Sequence, residues 1–266
     1  MAFRFNCSAD LYKDLGRYDA IVEFTEIAIR DFIEQAQLSG DFDLYLQEKS
    51  VEHKIRVNTV DQSVFRSRIS VSYILSVYQS AELFLHQLTA QYNDLYDADL
   101  KLDGTTDNLL IKTLRQISKI NSATSIIGEH RLAIFDYYRL VRNKYSHDRI
   151  TTDRMLKEFV NISGHSLKIN DDYPGITAPN NFQNISFDDF ILFSRTIKDI
   201  ADKITAMLIP TDEQLKAFYD RKELYKELTQ NKSRRVHAIK GHMRTNFGIE
   251  DQQANIVIGL VNISLA

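Results

Sequence analysis

Apolar residues recur at spacings of three and four along most of this chain, the period of an amphipathic helix. In "RYDAIVEFTEIAIRDFIEQA" the stripe Ile21, Phe24, Ala28, Phe32 and Ala36 predicts an early helix. A polar, less periodic connection follows through "SGDFDLYLQEKSVEHKIRVNTVD". From Val64 to about Tyr96 the chain is apolar on most of its circumference, with Ile74, Tyr78, Ala81, Leu85 and Leu88 on one side. A helix apolar nearly all round belongs at the centre of a bundle. "NLLIKTLRQISKI" and "GEHRLAIFDYYRLVRNKYSH" supply two further helices, and their short connections favour antiparallel neighbours.

The strongest helix breakers come late: Pro174, Pro179 and Pro210 are the only prolines. "GHSLKINDDYPGITAPNNFQN" is dense in Asn, Asp, Gly and Pro and reads as a loop with a short strand or hairpin. It ends at Ser186, where Asp189 three residues on makes a helix start. Phe190, Phe193, Ile197, Ile200 and Ile204 then form one stripe, and Pro210 closes the helix. Thr211 with Gln214 opens the next by the same capping logic. The expected fold is all-α: a helical bundle over residues 61–210, an N-terminal helical extension over 1–60 and a C-terminal helical tail over 211–266.

Composition narrows the classes. At 266 residues and 44% hydrophobic, the chain can bury a full core. A formal charge of -3 and a pI near 6.2 mean that any nucleic-acid contact depends on a local patch. The single cysteine, Cys7, allows neither an intrachain disulfide nor a thiolate metal cluster. The start has no apolar run of signal-peptide length, and no apolar stretch is long enough to cross a bilayer, so the expectation is a cytoplasmic protein without membrane contact. The apolar tail "ANIVIGLVNISLA" reads as a core or subunit-contact element. Glycine-rich phosphate loops, dinucleotide fingerprints, His-Glu-x-x-His and Gly-x-Ser-x-Gly are all missing, so no cofactor or metal is expected.

One stretch concentrates chemistry: "YYRLVRNKYSHDRI", where an apolar helix ends. Imidazole is the side chain that gives and takes a proton near neutrality, which makes His147 a candidate general base or acid. Arg142 carries a planar cation matched to phosphate oxygens and to the charge of a pentacoordinate transition state. With RNA the nucleophile comes with the substrate, since the 2′-hydroxyl attacks the adjacent phosphate once a base takes its proton; no metal is needed. Positions five apart on an ideal helix lie about 140° apart, so Arg142 and His147 are not expected on one face. Asn143 stacks on His147, and Arg142 on Ser146. A pair splayed over a helix end works best against a second surface, and a two-fold dimer would bring two arginines and two histidines into one cleft.

"RNKYSHD" resembles the motif of the HEPN superfamily, an arginine followed after four to six residues by a histidine, with a polar residue directly after the arginine. The surroundings are similar too: an early long helix with an acidic residue in "SAELFLHQL", the motif at the end of a later helix, then a connection and a final amphipathic helix. The resemblance covers residues 61–210. It implies a four-helix bundle, a homodimer with a composite active site, and a metal-independent endoribonuclease that leaves a 2′,3′-cyclic phosphate. Such proteins act as toxins and effectors of toxin–antitoxin and antiphage systems, which implies RNA as substrate and an antitoxin or defence-complex partner. Carried over, Arg142 stabilises the phosphate, His147 transfers the proton, Asn143 orients it, and Glu82 is the acidic residue of the early helix. Lys144 and Tyr145 inside the motif are candidate RNA contacts, Tyr145 by base stacking; Tyr138 and Tyr145 also read as core or dimer-interface aromatics. "NKSRRVHAIKGHMR" offers Lys232, Arg234, Arg235, Lys240 and Arg244 without one acid, either a solvated helix face or a phosphate-backbone patch. Arg235 and His242 satisfy a looser version of the same motif. The residues also allow a catalytically silent binding subunit that regulates a partner, or a helical scaffold docking through its tail.

Overall fold

A computed structural model describes residues 3–58, 61–102, 108–117, 120–147, 150–222 and 232–260. Every regular element among them is helical: α1 (Asn6–Leu38), α2 (Phe42–His53), α3 (Gln62–Tyr96), α4 (Leu109–Ile117), α5 (Ile120–Ile127), α6 (Glu129–His147), α7 (Thr152–Ser163), α8 (Ser166–Asp172), α9 (Phe187–Met207), α10 (Asp212–Lys222), α11 (Lys232–Phe247) and α12 (Asp251–Leu260). A 3-10 turn, Phe182–Asn184, precedes α9. None of these helices is long and apolar enough to cross a membrane.

The chain divides into two compact units. The first comprises Met1–Lys13, Ser80–Leu132 and Ile197–Ala266; the second, Asp14–Gln79 and Ala133–Thr196. The long helices α1, α3, α6 and α9 each begin in one unit and end in the other. Residues 1–60 are thus shared between the units, and 211–266 belong to the first.

In the second unit the core is aromatic. Phe190 packs edge-on against Tyr18 and Tyr73, and Phe193 meets Phe135 and Tyr138. Tyr78 in turn lies against Phe135. In the first unit Phe5, Leu11, Leu85, Leu88, Ile200 and Ile204 are buried, and α12 packs on α10 and α11 with its Ala254 and Val257 buried. In the tail Ala254 and Val257 are core residues, whereas Asn255, Ile256 and Gly259 are exposed; its last residues lie outside those described.

Local signals set several boundaries. The Ser186 amide and hydroxyl both donate to Asp189 Oδ2, at 2.8 and 3.1 Å, at the start of α9. Thr211 and Gln214 exchange reciprocal bonds at α10. The stripes predicted on α3 and α9 are buried throughout.

Three expectations need correction. On α1, Ile21 and Phe24 are 62% and 73% exposed, while Val22 and Glu26 face inward. The helix carries two apolar stripes, and the polar member of the buried one is neutralised by Arg30 at 2.7 Å, with Arg66 at 3.9 Å. The connection after α1 contains α2, capped by Asp41, whose side chain accepts from the Leu44 amide, and ended by left-handed Lys54. It buries no residue, so no periodicity marks it. The segment after the motif is helical over α7 and α8 and has no strand among its described residues; Thr151 caps α7.

Candidate active site

Helix α6 has Glu129 in its first turn and Lys144 and His147 in its last, the charge order that complements a helix dipole. Its inner face is fully buried at Ile134, Phe135, Tyr138 and Val141. The last turn escapes burial: Arg142, Asn143, Lys144 and Tyr145 are half-buried, and Ser146 and His147 are exposed.

Ideal helical spacing separates Arg142 from His147; the structure joins them. Arg142 Nη1 donates to Asn143 Oδ1 at 2.9 Å and lies 3.5 Å from His147 Nε2. Its guanidinium carbon stands 5.2 Å from the centre of the Tyr78 ring on α3, within the range of a cation–π contact. Helical angles describe where Cβ atoms point, whereas an arginine side chain spans more than a turn and bends toward a partner. A guanidinium only donates, so a hydrogen bond at this contact requires an Nε2 that carries no proton. At 3.5 Å the contact is at the outer limit of a hydrogen bond. Asn143 is engaged with Arg142, its chain neighbour, through the same Nη1.

Three tyrosines of α6 clasp the connection to α9. Tyr137 donates to the Asn180 carbonyl, Tyr145 to the Phe182 carbonyl at 2.9 Å, and Tyr138 to Asp189 Oδ1 at 2.8 Å. Asp189 is fully buried. Besides Tyr138 it accepts from the Asn180 amide and side chain, each at 2.8 Å, and from Ser186 twice. Burial, reinforced by the nearby Asp189 charge, holds the Tyr137 and Tyr138 hydroxyls far above the ordinary phenol range, so both remain donors. Tyr138 is a core residue, and Tyr145 is half-buried. The connection between α6 and α9 is thus bolted to the helix that carries the motif. Only the local Ser186–Asp189 spacing hinted at this hub.

The other candidates belong to the first unit. Glu82 is half-buried on the part of α3 that belongs to the first unit, whereas Arg142, Asn143 and His147 belong to the second. The basic residues of α11 are in the first unit. Arg234 is exposed and Lys240 half-buried. Arg244 pairs with Asp251 at 2.7 Å, and Arg235 Nε is buried without a hydrogen-bond partner. The Lys232 side chain lies outside those described. At about 100° per residue, Lys240 and Arg244 share a face that excludes Arg235. His242 is hydrogen-bonded through Nδ1 to the Tyr219 hydroxyl at 2.9 Å. Cys7 is buried, its thiol pushed up to about 12 by burial, which removes it as a nucleophile. Among the described residues no three His, Cys, Asp or Glu side chains are grouped to hold a metal.

No model of a known protein family matches this chain, and no curated protein or solved structure is similar to it.

Proposed function

We propose that this protein is a HEPN-like, metal-independent endoribonuclease with a four-helix core, working in the cytoplasm as a homodimer. The observation that carries the reading is the meeting of Arg142, Asn143 and His147 at the half-open end of α6, with an imidazole nitrogen 3.5 Å from a guanidinium. That is a base beside a phosphate-binding cation, held by a tyrosine ring and an amide. His147 takes the proton of the 2′-hydroxyl, O2′ bonds to phosphorus, and the P–O5′ bond breaks. The products are a 2′,3′-cyclic phosphate and a 5′-hydroxyl, whose proton comes from the second histidine of the dimer. Arg142 neutralises the charge that grows on the non-bridging oxygens. Such an activity, unrestrained, is toxic, which fits a toxin or an antiphage effector held by a partner protein.

The test is incubation of the purified protein with mixed cellular RNA in excess EDTA, beside His147→Ala, with the new ends mapped. Cleavage that survives the chelator, leaves cyclic phosphate and is lost in the variant is expected. Equal cleavage by parent and variant sinks the proposal. RNA binding without turnover moves it to the catalytically silent module.

A further inference from the structure

Helices α3 and α6 exchange two cation–π contacts in opposite directions. Arg142 of α6 lies over Tyr78 of α3, and Arg68 of α3 lies over Tyr145 of α6, its guanidinium carbon 4.9 Å from the ring centre. Arg68 is exposed. Among the described residues no ion pair engages it, in contrast to Arg66, which faces Glu26, and Arg139, which is bound to Asp136 at 2.9 Å. The Tyr145 ring is fixed by its hydroxyl bond to Phe182, a buried residue. A guanidinium resting one face on a fixed ring keeps its N–H edge open and loses little freedom on meeting an anion.

The second unit also holds a cleft of about 410 Å³, lined among others by Arg30 and Arg66, which share Glu26, and by Ser67, Asn184 and Asp188. The 3-10 turn Phe182–Asn184 ties the parts together. Its first residue receives Tyr145, its second receives the Ser67 hydroxyl at 3.1 Å, and its third lines the cleft. In the cleft Arg30 stands 5.7 Å over the Phe187 ring. Tyr78 and Arg68 are ten residues apart on α3, about 15 Å along its axis. A cation beyond the motif, an aromatic platform under it and a cleft with an arginine-covered ring form a path suited to a single strand, whose phosphates need cations and whose bases need flat surfaces.

We infer that Arg68, on its Tyr145 platform, is a phosphate-binding residue for single-stranded RNA that positions the strand beyond the reacting phosphate and leads it toward the cleft. The inference rests on the ribonuclease reading for its substrate, and binding separates the two. Fluorescence anisotropy with labelled single-stranded RNA is run on His147→Ala protein, with and without Arg68→Ala, between 50 and 200 mM salt, beside cleavage by the parent protein. One lost phosphate contact on a single strand lowers the slope of log K against log salt by about 0.7. Arg68→Ala is expected to show that drop with several-fold weaker binding, and Arg68→Lys to keep the slope. An unchanged slope in Arg68→Ala, or no RNA binding at all, overturns the inference. Affinity lost with the slope intact also overturns it, since Arg68 then acts only by bracing Tyr145. His147-dependent cleavage with an unchanged slope leaves the ribonuclease standing and removes Arg68. An Arg68-dependent slope without cleavage does the reverse.

Discussion

Two arginine–histidine pairs of this chain satisfy the same loose motif and end in opposite environments. Arg235 and His242, seven positions apart, fall about 20° from each other on a helix and look aligned; Arg142 and His147, five apart, look splayed. Yet the splayed pair is the one whose side chains meet, at the half-open end of α6. His242 sits in an aromatic nest, its ring centre 5.9 Å from Phe247 and 6.3 Å from Phe218, and gives Nδ1 to Tyr219. Burial lowers its pKa, against an opposing pull from Asp94. Solvent access and a partner within reach of a flexible side chain therefore distinguish the pairs better than their spacing does.

The largest test of this contrast is catalytic. His147→Ala is expected to reduce EDTA-resistant RNA cleavage by about 10²–10⁴-fold, the range of a lost general base, while His242→Phe leaves it within about two-fold; comparable losses would erase the distinction. Arg142→Ala should follow with a loss of about 10²–10³-fold, read as kcat at saturating RNA.

The next effect is on folding. Asp189→Ala leaves the Tyr138 hydroxyl and the Asn180 and Ser186 amides without their acceptor, and should lower stability by about 3–4 kcal/mol in urea titration. A loss below about 1 kcal/mol would mean that the clasp on α6 is dispensable.

Smaller still is the acid sensitivity of His242. Its pKa is about 6.5 in the unfolded chain and lower when folded. The unfolded state therefore takes up the proton first. Stability is complete above about pH 6.5 and declines as pH falls toward the folded pKa, levelling below it. His242→Phe should flatten that part of the parent's stability curve, measured by denaturation between pH 5 and 8, and an unaltered curve would remove His242 as its source. Tyr145→Phe, which keeps the ring under Arg68 and loses only the bond to Phe182, should cost about 1 kcal/mol.

Much of the helical order was legible because it rests on local chemistry. The boxes at Ser186–Asp189 and Thr211–Gln214 each join residues three apart, and the stripes on α3 and α9 each meet one apolar environment. Helix α1 misled because two stripes compete on it, and burial of Glu26 depends on Arg66, distant in sequence. Helix α2 left no apolar signal because nothing on it is buried. At the site, Arg142, Asn143 and His147 were visible as residue types. Tyr78, Arg68 and the Asp189 hub were not, since each acts across elements that the chain joins only on folding.

The sequence by itself determined that this protein is helical, where several of its helices start and which turn carries the concentrated chemistry, because period and capping are set by neighbours a few residues apart. Tertiary structure alone decided which face of α1 is buried, that Arg142 leans over Tyr78 toward His147, and that the connection before α9 is held by three tyrosines. Those outcomes depend on side chains from separate helices competing for the same buried space and the same hydrogen-bond partners.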